Sequence, residues 1–245
     1  ICGSMFPASY RYLPVPECCS GRYLTQNKEG IPLEIENHKE EVPFEHYLEK
    51  YRFLDPEEAA ERLNILYDAE TQKFRFRFMG HSYEAGYPVF DVRLLDAEDD
   101  GKDLLMYHLP ARTFLLRYLL EGQYIKGSGK FMTFREVPTY GELYIQPFTG
   151  RCLKRLTYGF GYKLKAFAEA MERIPGAEKL SVGDVSYEFE LINGYRMQFL
   201  FWEGDDEFPP SAQILYSDNF QFGFHAEDMV VAGDLSITTV KNLCA

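Results

Sequence analysis

Between Val185 and Trp202 the chain carries two runs that alternate apolar and polar residues, separated by Asn193-Gly194. Val185, Tyr187, Phe189 and Leu191 alternate with Ser186, Glu188 and Glu190, the two-residue period of a strand with one dry face. Asn-Gly between such runs signals a hairpin, and the pattern tests its register. A two-residue loop would set Phe189 against Gln198 and Glu188 against Phe199, mixing the faces. Taking Ile192, Asn193 and Gly194 as a three-residue loop, with Gly194 left-handed, pairs Leu191 with Tyr195, Phe189 with Met197 and Tyr187 with Phe199. Glu190 then opposes Arg196. The expectation is a bulged hairpin with one apolar and one polar face.

Other segments fall around this hairpin. Phe74-Arg75-Phe76-Arg77-Phe78 alternates strictly and reads as a strand. A second strand is expected from Pro88 to Leu95, ending in the acidic turn 96–103, and another over Ala212 to Tyr216. Phe44, Tyr47, Leu48 and Tyr51 recur at helical spacing. Asp55-Pro56-Glu57-Glu58 then supplies an N-cap, a first-turn proline and acidic residues for a second helix ending near Asn64. Leu109 to Glu121 is a helix with Pro110 in its first turn and Gly122 as its stop. Gly127-Ser128-Gly129 breaks the chain before Phe131 to Val137. Phe160, Leu164, Phe167, Ala168 and Met171 mark an amphipathic helix closed by Pro175-Gly176, and Glu227 to Leu243 a terminal one. Hairpin strands with helices gathered elsewhere predict an α+β fold: a largely antiparallel sheet with helices packed on it, in one main domain over 44–245. Residues 1–43 carry Pro7, Pro14, Pro16, Pro32 and Pro43 without periodicity and read as an irregular N-terminal arm. Phe6, Tyr10, Tyr12, Leu13 and Tyr23 give that arm enough apolar surface to dock.

Composition narrows the function. With 26 basic and 38 acidic residues, the formal net charge of −12 argues against nucleic acid or an anionic membrane as partner, since both require clustered positive charge. No apolar run approaches the roughly 20 residues that span a bilayer; Arg117 interrupts the richest, Leu115 to Leu120. No signal-peptide pattern is visible, although a start at Ile1 rather than Met leaves the true beginning open. Five cysteines, Cys2, Cys18, Cys19, Cys152 and Cys244, are an odd number without a disulfide framework, which fits a cytoplasmic setting. Cys18 and Cys19 lack the spacer that lets a loop wrap a tetrahedral metal.

The densest chemistry is Glu203-Gly204-Asp205-Asp206-Glu207. Four carboxylates confined together raise one another's pKa and are relieved by a divalent cation or a basic partner; the plain alternative is a hydrated turn joining two strands. No EF-hand spacing is present. His38, His46, His81, His108 and His225 form no HExxH or HxH pair, so a histidine site needs separate segments to converge. His81 follows a strand and His225 precedes Glu227-Asp228. No GxSxG elbow occurs. Arg151, Lys154, Arg155, Lys163 and Lys165 form a basic block that either pairs with the acidic C-terminal region or grips an anion.

The run Gly183-Asp184-Val-Ser-Tyr-Glu-Phe-Glu-Leu191, the block Leu200-Phe-Trp-Glu-Gly-Asp-Asp-Glu-Phe-Pro-Pro-Ser-Ala-Gln-Ile-Leu215 and Glu227-Asp228 resemble the bacterial and archaeal domain of unknown function 3786 family. Leu109 to Leu120, Gly129 to Glu136 and Leu54 to Glu61 are similar too, so the resemblance covers about 44 to 243. Its implication is a single domain. Relatives with a cysteine-rich iron–sulfur module, from anaerobes that use corrinoid chemistry, are part of that resemblance, but the cysteine spacing here offers no cluster motif.

The leading expectation is a cytoplasmic binding or accessory protein holding a small polar molecule, a metal or a tetrapyrrole-like cofactor between sheet and helices. Trp202, Glu203, Asp205, Asp206 and Glu207 would form one wall, with Arg135, Tyr140 and His81 as neighbours. One alternative is a metal-dependent hydrolase in which Asp205 and Asp206 hold a divalent ion, with His225 as a further ligand or, like His81, a proton shuttle. The other is a structural protein-interaction domain whose acidic end docks a basic surface. The cofactor and the oligomeric state are left unassigned. All three readings depend on where the 203–207 carboxylates point.

Overall fold

The computed structural model describes residues 24–26, 32–34, 38–98, 100–138 and 141–244. The chain divides after Asn37 into two units. In the first, strands β1 (Leu24–Gln26) and β2 (Pro32–Glu34) pair antiparallel, with Leu24 opposite Glu34. The rest of the expected arm up to Asn37, including the side chains proposed to dock it, lies outside the described residues.

The second unit opens with α1 (His38–Tyr51), which starts before the expected boundary at 43 and contains Pro43. Glu40 and Glu41 favour its first turn, and the stripe from Phe44 to Tyr51 packs on the core. Helix α2 (Pro56–Leu63) is capped as its sequence predicts. The Asp55 carboxylate accepts from the Glu57 and Glu58 amides, both at 3.1 Å, and Asn64 ends the helix at φ 50°. Strands β3 (Leu66–Asp68), β4 (Lys73–Phe78), β5 (His81–Gly86) and β6 (Val92–Leu94) follow as a meander. The expected strand from Pro88 shrinks to β6, because the Gly86 amide bonds the Asp91 carbonyl and turns the chain there. Strand β5 has no alternating signature. It is set by the Met79-Gly80 turn, both residues at positive φ (47° and 80°), which folds it back on β4.

Helices α3 (Leu104–Tyr107) and α4 (Leu109–Glu121) come next; α4 has its predicted bounds and is buried along Phe114, Leu115, Leu116, Tyr118 and Leu119. Strand β7 (Phe131–Thr133) runs into a 3₁₀ turn, Phe134–Glu136. A longer helical run follows: α5 (Gly141–Phe148), a π turn at Thr149–Leu153, and α6 (Lys154–Phe160). The expected helix from Phe160 to Met171 is therefore divided, and only α7 (Leu164–Met171) is separate. The break is at Gly161, where a Cβ would sit 2.9 Å from the Pro210 ring.

Strands β8 (Glu178–Lys179), β9 (Val185–Ile192), β10 (Tyr195–Trp202) and β11 (Ser211–Ser217) complete one antiparallel nine-stranded sheet. Its order is β6-β5-β4-β9-β10-β11-β7, with β3 on β4 and β8 on β9. Helices α8 (Phe220–Gly223) and α9 (Ala226–Leu243) end the described chain. The fold is α+β. No helix among the described residues is long and apolar enough to cross a membrane.

The hairpin keeps the expected register along its strands but not the expected three-residue loop, and Leu191 does not pair with Tyr195. Asn193 and Gly194 make a two-residue turn at φ 38° and 84° that sets Ile192 against Tyr195. A shift between Tyr195 and Arg196 then restores the predicted pairs Glu190–Arg196, Phe189–Met197 and Tyr187–Phe199. Leu191 is the extra residue, and its carbonyl accepts the Met79 amide at 2.8 Å. Phe74, Phe76, Tyr187, Phe189, Phe199 and Tyr216 lie in the core. At the β4, β9 and β10 positions that alternate with them, Arg77 pairs with Glu190 at 3.0 Å and Arg196 with Glu188. The basic block is partly used the same way, since Arg151 and Arg155 both pair with Asp234 of α9.

Candidate functional site

The acidic loop does not build the expected wall. Glu203, Asp205, Asp206 and Glu207 are all exposed. The Asp205 carboxylate closes its own turn, accepting from the Phe208 amide at 2.7 Å and the Glu207 amide at 2.9 Å, and those bonds hold it below the usual carboxylate range. The expected mutual elevation of pKa is thus reversed at this residue, because backbone N–H groups stabilise the charged form. Among the described residues no group of three or more His, Cys, Asp and Glu side chains is placed to hold a metal ion. Of the residues expected to hold a metal, His225 occupies the N-cap position of α9 and lines a cavity whose lining includes neither Asp205 nor Asp206. Arg135 is exposed on the 3₁₀ turn, and Tyr140 lies outside the described residues.

His81 is the one predicted residue that lines the larger cavity, a space of about 190 Å³. The Met79-Gly80 turn forms its base. Gly80 is seated so closely on the 174–176 turn that a Cβ would lie 2.1 Å from the Pro175 carbonyl oxygen. Phe78, Met79, Tyr83, Leu104 and Ile174 make the floor apolar. Ala97, Glu98, Asp100, Lys102 and Asp103 line one side. Asp96 accepts from the Ser82 amide at 2.8 Å and faces His81 Nδ1 at 3.0 Å. Although partial burial works against the charged form, the Ser82 amide and the His81 ring hold the Asp96 carboxyl below the usual range. With Nδ1 so engaged, Nε2 of His81 is the ring atom left for another partner.

Asp103 caps α3 by accepting from the Met106 amide at 2.9 Å, and it also takes the Tyr83 hydroxyl. Burial and then Asp103 push the Tyr83 pKa far up, so its proton stays on the phenol. The end of α9 closes the other side: Asn242 Nδ2 reaches the Lys102 carbonyl at 3.4 Å, and Arg173 donates to the Leu243 carbonyl. Lys102 and Arg173 thus line a half-apolar cavity, and among the described residues neither has a carboxylate partner. Asp100 accepts the Lys102 amide at 3.0 Å, which leaves Glu98 as the lining carboxylate with no side-chain bond among the described residues.

A smaller cavity of about 110 Å³ lies between the second half of α4 and the α8–α9 connection. There Arg117 Nη2 is 3.1 Å from the buried Asp228, and Nη1 is 3.7 Å from Glu227. Burial lifts the Asp228 pKa to about 6, against the pull of Arg117 and His225. The sequence marked Arg117 only as the break in an apolar run, and Asp228 as a neighbour of His225 and as part of the family resemblance. No spacing links either to the other.

The family profile described as Domain of unknown function (DUF3786) matches residues 55–239. The chain belongs to that family. No curated protein and no solved structure matches it. The DUF3786 match begins at the α2 cap and ends within α9, so it spans every strand of the nine-stranded sheet and most of the lining of both cavities. Within it the Trp202–Glu207 block is a surface feature, whereas His81, Lys102 and Arg173 converge on a cavity.

Proposed function

We propose that the protein binds a compact, polar small molecule in the larger cavity, with an anionic group held by Lys102 and Arg173 and a hydroxyl or amine directed to Glu98 or His81. The observation that carries this reading is that Lys102 and Arg173, both exposed and without carboxylate partners among the described residues, line one cavity above an apolar floor. Such a floor with a few convergent polar groups is the usual form of a small-molecule site. The volume of about 190 Å³ lies below the roughly 300–1,000 Å³ of larger ligand sites, which favours a small carboxylate or phosphate over a tetrapyrrole-like cofactor. A cytoplasmic setting belongs to the same proposal. It is supported by the free, buried Cys152, whose thiol sits 3.3 Å from the Val230 carbonyl and is pushed up to about 12 by burial.

The test is thermal unfolding with inorganic phosphate, malate and phosphoserine, against glycerol as a neutral control. Saturating ligand is expected to add about 2–3 kcal/mol, seen as a rise of several degrees. Lys102→Ala with Arg173→Ala should abolish the rise. An equal rise in that double variant would refute the assignment.

A further inference from the structure

The molecule leaves large apolar side chains uncovered at the far end of the β9–β10 hairpin. Trp202 is 40% exposed, Phe208 68% and Tyr162 77%, and Val182 is also exposed. Short contacts hold them at one end. A Cβ on Gly183 would lie 3.4 Å from the Trp202 ring, which places the 182–184 turn against it. A Cβ on Gly161 would meet the Pro210 ring at 2.9 Å, and one on Gly204 would meet the Phe208 carbonyl at 2.9 Å, so the 203–210 loop folds back beside Tyr162. Exposed tryptophan and tyrosine are the residue types that dominate binding energy at protein interfaces.

Charge decides the occupant. The loop between Trp202 and Phe208 presents Glu203, Asp205, Asp206 and Glu207, and among the described residues no cation pairs with any of them. A second copy of a chain with net charge −12 would bring like charge to this edge, and an anionic membrane would be repelled in the same way. We propose that this edge docks a lysine- or arginine-bearing segment of a partner protein. Its cations would lie over the Trp202 and Phe208 rings and pair with the carboxylates around them, while its apolar side chains cover Tyr162 and Val182.

Trp202 is the single tryptophan of the sequence, so its emission reports the patch alone. The probe is a short lysine–leucine peptide, with its glutamate-for-lysine counterpart as control, titrated into the full chain. The lysine peptide is expected to shift Trp202 emission to the blue and saturate, and the glutamate peptide to leave it unchanged. Asp206→Asn with Glu207→Gln, which removes charge but no turn hydrogen bond, should weaken binding about tenfold. Phe208→Ala should weaken it to a similar degree. Glu57→Gln with Glu58→Gln, the same charge change at two exposed residues of α2, should leave it unaltered. Absence of a shift, equal weakening by both charge pairs, or a blue shift that depends on protein concentration without peptide would each overturn the proposal, the last in favour of self-association.

Discussion

Arg117 of α4 and Asp228 of α9 face each other at 3.1 Å with the aspartate buried, and the Arg117 guanidinium also lies 5.3 Å from the Tyr47 ring of α1. One ion pair thus joins three helices. Its price is a carboxylate that water scarcely reaches, which is why the Asp228 pKa rises to about 6 despite the adjacent cation.

That elevation fixes a pH dependence. A folded-state pKa of about 6, above the ordinary aspartate value of 3.8, means the native state holds the proton more tightly than the unfolded chain. The contribution is complete at low pH and is lost as pH rises toward and through 6, by an amount on the order of 3 kcal/mol. Urea unfolding at pH 4.5 and pH 7 should therefore show a difference in wild type that shrinks in Asp228→Asn. An unchanged difference would show that Asp228 titrates normally. Asp96 and Asp205 carry the opposite sign, since their pKa values are lowered, and they act below this window.

Gly80→Ala should destabilise by about 2 kcal/mol or more. The residue has φ 80°, and the added Cβ would be driven to 2.1 Å from the Pro175 carbonyl oxygen. Since the same turn is the base of the larger cavity, the variant should also weaken small-anion binding. Chemical denaturation and a phosphate titration check the two effects separately.

Phe167→Ala should cost about 3–5 kcal/mol in urea unfolding. Its ring meets Phe201 at 4.7 Å and Phe160 at 5.5 Å and is fully buried where α7 crosses the sheet. A small loss would mean that α7 packs less tightly than these contacts imply.

Magnesium or calcium should raise the melting temperature of wild type no more than that of Asp205→Asn with Asp206→Asn. Asp205 Oδ1 accepts two turn amides, and Glu203, Asp206 and Glu207 are exposed. A wild-type-specific rise would restore a metal at this loop.

The contrast between loud and silent sequence signals follows from how each residue gets its partners. The hairpin was readable because alternation and Asn-Gly act locally, and even its bulge followed from matching faces. Helix α4 was readable for the same reason, with proline and glycine marking its ends. The α5–α6 run was not, because Pro147, Gly150 and Gly159 hide its periodicity. The carboxylate cluster stood out by composition, yet its geometry is that of a surface turn. Lys102 and Arg173 gave no signal at all, since only the Met79-Gly80 turn, the 96–103 loop and the end of α9 bring them to one cavity.

The most direct measurement is isothermal titration of phosphoserine and malate into wild type, the Lys102→Ala with Arg173→Ala variant, and the Asp206→Asn with Glu207→Gln variant. A saturable heat in wild type and in the loop variant, absent from the cation variant, is the predicted result. Heat that survives loss of both cations, or that disappears with the loop carboxylates instead, would contradict the cavity as the binding site.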